Sequence, residues 1–415
     1  MNYTKTFITC LLSALVVLVV TAGTSDAGSL LVSSKGTNQI LQYNLETGAF
    51  EKVFADAAVL GSDPQGGNLL TEPTGMDIGP DGNVYVAYRD GIGDPTTGGV
   101  LRFAPNGTFI DIFSLAVTNI GDMDFGPDGN MYVTKSGSGV HCILGPDSAT
   151  PGELDPNHTS IGAVGAVEPF FNATEDAVTY FRSITHAGGQ VRVSNKGGTT
   201  LEIFDVPFAT QTDVPWGVEI GPDNILYCVS NNASPPTDVA IYTMDYFGGE
   251  TEFTQLGDGH DADPALDMPL GIAFDDDGNI LVSSHNSSSV AKFSTVDGTF
   301  LGNLVEPEAG GLLNPHYGLT VLPPAGPADL PGDANYDGVV NDADAEILAD
   351  NWMTATGASW GMGDFNEDGA VDDIDATILA TNWQAAAAGG SSVPEPSTLV
   401  LLTCGLLALL LRRRS

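Results

Sequence analysis

One phrase recurs along this chain and limits what it can fold into. Gly79-Pro80-Asp81-Gly82-Asn83-Val84-Tyr85-Val86 returns almost unchanged as Gly126-Pro127-Asp128-Gly129-Asn130-Met131-Tyr132-Val133. Looser copies are Gly221-Pro222-Asp223-Asn224-Ile225-Leu226-Tyr227 and Asp275-Asp276-Asp277-Gly278-Asn279-Ile280-Leu281-Val282. Proline presets φ, and Gly and Asn accept φ > 0, so Pro-Asp-Gly is turn chemistry. The alternating apolar run after it reads as a strand. Each copy therefore predicts a hairpin.

A second pattern follows the first. Ile40-Leu41-Gln42-Tyr43, Val100-Leu101-Arg102-Phe103 and Val290-Ala291-Lys292-Phe293 each precede a Gly-containing turn that ends in Phe50, Phe109 or Phe300. Together the patterns give units of four strands, A to D, the spacing of propeller blades. Aligning second strands at Leu31, Tyr85, Tyr132, Arg192, Tyr227 and Leu281 gives six units. In the degenerate fourth unit, Arg182-Ser183-Ile184-Thr185 and Gln190-Val191-Arg192-Val193 stand for strands A and B. The first unit starts at a B strand, Leu30 to Ser34, and Tyr317 to Leu322 supplies its missing A strand, which closes the ring and leaves no open edge. The expectation is a mainly β chain: a six-bladed β-propeller over 29–322, closed by its C-terminal strand, plus a small α calcium-loop domain. These hairpin phrases resemble six-bladed propellers of the NHL and gluconolactonase-like group. That group contains binders, lyases and lactonases, so the fold does not choose the function.

Composition narrows the partners. The chain has 53 acidic against 13 basic residues and a formal charge of -40. Nucleic-acid binding needs a basic footprint and is excluded as a reading. Cys142 and Cys228 fall in non-adjacent units, so no disulfide is expected between them, only two buried small apolar side chains.

The ends carry address signals. Lys5, an apolar run from Phe7 to Val20 and small residues at Ser25 and Ala27 read as a secretory signal peptide over 1–27. A Pro-rich linker over 323–331 leads to the most specific motif in the chain. Asp333, Asn335, Asp337, Asn341 and Asp344 recur 31 residues later as Asp364, Asn366, Asp368, Asp372 and Asp375, with Gly338 and Gly369 at the sharp turn. These are loop positions 1, 3, 5, 9, 12 and 6 of a calcium site, and Val339 and Ala370 offer the carbonyl at position 7. A short helix follows each loop. Two such loops, ending in Asp, resemble a type I dockerin over 332–384. That resemblance implies two calcium ions (Ca2+) and a cohesin or other surface protein as partner, usually on a polysaccharide-degrading assembly. Loop positions 10 and 11, where type I dockerins often carry partner-reading hydroxyls, are Asp342-Ala343 and Asp373-Ile374 here. After a small-residue linker over 385–392, Val393-Pro394-Glu395-Pro396, an apolar run to Leu411 and Arg412-Arg413-Arg414 resemble a PEP-CTERM sorting signal over 393–415. This implies exosortase processing near Pro394-Glu395-Pro396 and delivery to the bacterial surface or extracellular matrix. The run is shorter than the ~20 residues of a spanning helix and reads as a transient membrane segment.

No nucleophile elbow, P-loop, Rossmann glycine pattern or zincin motif is present, so no catalytic residue is assigned. The B–C and D–A loops of a propeller surround its mouth, opposite the Pro-Asp-Gly turns. Aligned B-strand ends place Lys35, Arg89, Ser136, Lys196, Asn231 and His285 there, with His316 and His260 nearby. In so acidic a body this predicts a cationic collar for a carboxylated or sulfated ligand such as an extracellular polysaccharide. Asp258, Asp261 and Asp263 beside His260 make a His-carboxylate metal site the competing reading. Glu219 and Asp124 lie on A strands, without a third residue to complete a lactonase-like set. Three functions follow: an anionic-carbohydrate binder, a lyase or lactonase acting in the mouth, or a matrix scaffold.

Overall fold

The computed structural model describes residues 28–383, except 63–67, 90–97, 136–137, 163–164, 173–176, 185–188, 207–213, 232–239, 259–265, 323–329, 335–338, 355–359 and 367–369. Strands β1 (Ser29–Ser34), β2 (Gln39–Asn44) and β3 (Phe50–Asp56) begin blade one. Blade two is β4 (Met76–Ile78), β5 (Val84–Arg89), β6 (Gly98–Phe103) and β7 (Phe109–Ser114). Blade three is β8 (Ile120–Phe125), β9 (Met131–Lys135) and β10 (Gly139–Ile143). Blade four is β11 (Val167–Asn172), β12 (Ala177–Ile184), β13 (Gln190–Asn195) and β14 (Thr200–Asp205). Blade five is β15 (Val214–Ile220), β16 (Leu226–Asn231), β17 (Ala240–Met244) and β18 (Thr254–Asp258). Blade six is β19 (Pro269–Phe274), β20 (Ile280–Ser284), β21 (Ser289–Phe293) and β22 (Phe300–Val305). Finally β23 (Pro315–Leu322) pairs antiparallel with β1, Ser29 opposite Leu322 and Leu30 opposite Val321, and closes the six-bladed ring.

The recurring phrase has a physical reason. Gly82, Gly129 and Gly278 take φ of 74°, 71° and 78°, and Asn224 takes 64° at the same turn position. The turn aspartate then reaches the strand it introduces. Tyr85, Tyr132 and Tyr227 donate their hydroxyls to Asp81, Asp128 and Asp223 at 2.8, 3.2 and 2.7 Å. Each tyrosine ring is buried between blades while its polar tip is satisfied. Inner-strand glycines set the channel width: a Cβ on Gly217, Gly271 or Gly318 would lie about 2.5 Å from backbone oxygens of the next blade's inner segment.

Two expectations change. Blade three lacks a fourth strand among the described residues; single bridges from Val140 to Ile161 and Ile143 to Leu154 hold its outer edge. In blade four the register moves by one strand: Arg182 lies in the second strand and Arg192 in the third. Buried Thr179, Arg182 and Ser183 spoil the apolar alternation of β12. Gln190 to Val193 alternates cleanly and reads as a B strand in its place. Cys142 and Cys228 are buried free thiols in blades three and five, so the expectation of no disulfide holds.

Beyond the propeller, helices α1 (Asp342–Asp350) and α2 (Asp373–Asn382) pack around Ala334, Val340, Leu348, Phe365, Val371 and Leu379. The two halves interlock as a pseudo-twofold. Gly332 sits against Leu379 of α2, and Gly363 sits against Leu348 of α1. No helix among the described residues is long and apolar enough to cross a membrane. The sorting signal and the signal peptide lie outside the described residues.

Candidate functional site

The propeller channel has two ends of opposite character. At the mouth, the B–C turn of blade one carries Lys35, β5 ends in Arg89, the turn after β20 carries His285, and His316 is the second residue of β23. Arg89 donates Nε–H to Ile120 O at 2.9 Å, its one hydrogen bond among the described residues. Burial lowers its pKa, while Tyr317 and Glu72 raise it; a guanidinium with that starting value stays charged. Lys35 pairs with Glu72 at 3.5 Å. The His285 and His316 rings lie 5.8 Å apart, edge to face.

Neither histidine adds charge near neutrality. His285 bonds Pro315 O at 2.9 Å through Nδ1. A carbonyl only accepts, so Nδ1 holds the proton and Nε2 is an acceptor. Burial lowers the His285 pKa. Burial, then Arg89, Lys35 and His285, push His316 well below the usual range. His316 Nδ1 is buried and has no hydrogen-bond partner. The charges that suppress His316 also disfavour a metal cation there.

The sequence-predicted collar is thus only partly assembled. Lys196 is not in it. It follows the third strand of blade four and bonds Asp128 at 2.5 Å and Asp155 at 3.4 Å, on the face of the Pro-Asp-Gly turns. The shifted register of blade four moves it there. Asn231 ends β16 on the mouth side, with its side chain outside the described residues. Ser136, His260, Asp261 and Asp263 are also outside them, as is the side chain of Asp258.

Deeper in the channel lies a cavity of about 180 Å³, lined by Asp77, Asp122, Asp124, Glu219 and Tyr317 among others. Glu168 joins them: one carboxylate oxygen each of Asp124, Glu168 and Glu219 lies within 4.8 Å of the others. Asp77 accepts N–H bonds from Phe125 at 2.8 Å and Ile78 at 2.7 Å. Asp122 accepts one from Val167 at 3.2 Å. Burial raises Asp77 to about 6, against the bonds from Phe125 and Ile78. Burial, reinforced by Asp77, raises Asp122 to about 8. Asp124, Glu168 and Glu219 are pushed well above the carboxylate range, first by burial and then by the charge of neighbouring carboxylates, Asp77 and Asp122 among them in each case. Sequence reading missed Asp77, Asp122 and Glu168. A signal existed for one of them: Asp77, Asp124 and Glu219 each stand two residues before a Gly-Pro turn.

Tyr317 separates the two ends. Its ring leaves blade one and reaches Gly121 of blade three, where Arg89 also arrives. It feels Asp122 from one side and Arg89 from the other.

In the calcium-loop module, Asp333, Asp344, Asp364 and Asp375 are all at most 3% exposed. Asp344 accepts N–H bonds from Ala334 and Asn341 at 2.8 and 2.9 Å. Asp375 accepts them from Phe365, Asn366 and Asp372 at 2.8, 3.2 and 2.9 Å. Each carboxylate is thus locked into its loop. Residues 323–384 contain no lysine, arginine or histidine. Buried carboxylates call for a countercharge, a bound cation would supply it, and the hard-oxygen donor set fits calcium. Asn335, Asp337 and Asp368 lie outside the described residues.

Comparison with known proteins agrees with this anatomy. Residues 331–382 match the type I dockerin domain family, and residues 392–414 match the PEP-CTERM protein-sorting motif. Dockerin type I domains bind calcium and imply cohesin docking, and the sorting motif implies exosortase processing. Together they mark an exported, surface-sorted protein. No curated protein matches the chain in sequence. Among solved structures, the chain is similar to one in a nidogen/laminin complex, with 13% identity, 71% of this chain and 98% of that chain covered, and a TM-score of 0.48. A putative 6-phosphogluconolactonase from Bacteroides uniformis shows 13% identity, 72% and 100% coverage and a TM-score of 0.46. A virginiamycin B lyase from Staphylococcus aureus shows 14% identity, 66% and 83% coverage and a TM-score of 0.41. Such likenesses concern fold and decide nothing about activity.

Proposed function

We propose that this chain is an exported surface protein whose propeller mouth binds an acidic carbohydrate without transforming it. The observation that carries this reading is the pairing at the mouth of a half-buried, charged Arg89 with a buried His316 Nδ1 that has no partner among the described residues. Arg89, with Lys35 beside it, provides charge-assisted donors for a carboxylate or sulfate. The neutral His285 and His316 provide acceptor or donor nitrogens for sugar hydroxyls. A cluster of carboxylates at the mouth would have favoured a lyase or lactonase, but the acidic cluster lies on the far side of Tyr317.

The rest of the chain follows as delivery. Residues 1–27 direct export, and residues 332–384 hold two calcium ions through Asp333, Asn335, Asp337, Val339, Asn341 and Asp344, and through Asp364, Asn366, Asp368, Ala370, Asp372 and Asp375. That module docks a cohesin or another surface protein. Exosortase acts at Pro394-Glu395-Pro396, after which the transient apolar segment is removed. A glycan array with the mature protein tests the mouth. Uronic-acid or sulfated glycans are expected to bind. Arg89→Ala should lower binding by about tenfold or more, and Lys196→Ala, on the other face, should not. Equal binding by Arg89→Ala, or no preference for acidic glycans, overturns the reading.

A further inference from the structure

Above the acid-lined chamber of the channel, the mouth holds a second cation beside Arg89. The seam between blades two and three is built from alternate residues of two strands. Tyr85 and Ala87 of β5 pack with Met131 and Val133 of β9 in one apolar cluster. Successive side chains of a strand point to opposite faces, so the next members of these two rows are Arg89 and Lys135, the last residues of β5 and β9. They enter the mouth end of one seam from its two walls. Ile120 ties them together: it stands opposite Lys135 in the β8–β9 ladder, and its carbonyl accepts the Arg89 Nε–H at 2.9 Å.

Neither cation has an acid partner. Lys35, Arg102, Lys196 and Lys292 each pair with a carboxylate. Lys135 instead donates to the Thr118 hydroxyl at 3.2 Å, and among the described residues no carboxylate pairs with it or with Arg89. Both side chains are half-buried. Two such cations in one seam, in a chain with 53 acidic against 13 basic residues, leave charged donors for an anion from outside. We infer that Lys135 sets the specificity of the mouth: Arg89 holds one acidic group of the bound glycan and Lys135 holds a second on the same chain, so the ligand carries at least two acidic groups. This rests on the mouth reading above and narrows its ligand class. The side chains suit the two tasks. The planar guanidinium fork fixes the orientation of one carboxylate or sulfate, and the ammonium on its flexible stem follows the second group. A glycan with a single acid gains nothing from Lys135.

Titrating the full mature chain, at one fixed excess of calcium, with trisaccharides that carry one or two uronic acids, and with the same pair carrying sulfates, tests this. The di-acidic member of at least one pair is expected to bind about tenfold tighter than its mono-acidic partner. Lys135→Gln should close that gap by weakening the di-acidic ligand alone, and Lys135→Arg should keep most of it. Arg89→Ala should weaken both ligands. No gap on the native chain overturns the inference, as does a gap that Lys135→Gln leaves intact; in either case acidic trisaccharides that still bind through Arg89 leave the mouth reading standing. No binding of any acidic trisaccharide overturns both. If Lys135→Gln does not fold, the gap on the native chain decides alone.

Discussion

The calcium-loop module buries carboxylates and the propeller chamber half-buries them, in neither case paired with lysine or arginine among the described residues, yet the two are built differently. In the module the acids come from within a dozen residues, and backbone N–H groups of the same loop hold Asp344 and Asp375. In the chamber they come from four blades, and only Asp77 and Asp122 receive such support. The difference concerns what holds the acids in place. On the proposed reading, the module's loops depend on their cation for folding. The chamber's walls are held by inner strands and apolar blade contacts, so charge there is a burden on a structure that already exists.

The largest expected effect follows from that contrast. Chelating calcium from the full chain should abolish the calorimetric transition and helical signal of residues 332–384, because metal binding there is folding energy. The propeller transition should survive at a lower temperature. Loss of both transitions together would break the distinction. A smaller effect is expected from Glu219→Gln in calcium-free protein at pH 8. Replacing an acid whose charged form burial and its neighbours Asp77 and Asp122 oppose should leave propeller stability unchanged or raise it, by up to roughly 1 kcal/mol. That is about 2 °C per kcal/mol in a unit of this size. A fall in melting temperature would mean that Glu219 is held by contacts the chamber does not show. The smallest effect is assigned to Lys196→Ala. Its pairs with Asp128 and Asp155 sit at a partly exposed rim, so a loss of about 1 kcal/mol or less is expected, shrinking in high salt. A larger loss would mean that this rim staple is part of the core of blades three and four.

The same contrast explains what could be read in the sequence. The turns were legible because a left-handed residue and a strand-start tyrosine serve one hairpin, and every requirement is local. The dockerin loops were legible for the same reason. Closure by β23 was legible because the first unit lacks an inner strand. Blade four was misread because Arg182, Thr179 and Ser183 are buried in a strand, where polar residues conceal the alternation. That slip of one strand carried Lys196 to the wrong face. The chamber was only half legible. Asp124 and Glu219 sit in equivalent strand positions, but Glu168 comes from the misregistered blade, and no spacing in the chain records that the three meet. The collar's charge was overestimated because Lys196 lies on the other face and burial lowers the pKa of His285.

The claim beneath this comparison is that the propeller channel crowds half-buried carboxylates whose charge costs it stability. Asp77 and Asp122, with folded pKa values of about 6 and about 8, stand above the ordinary aspartate value of about 3.9. Their contribution to stability is therefore complete below about pH 4 and lost as pH rises through 6 to 8. The direct measurement is the propeller melting temperature from pH 5 to pH 8 under chelator. The account predicts a fall of several degrees with rising pH. A melting temperature that is flat or rising with pH would contradict it.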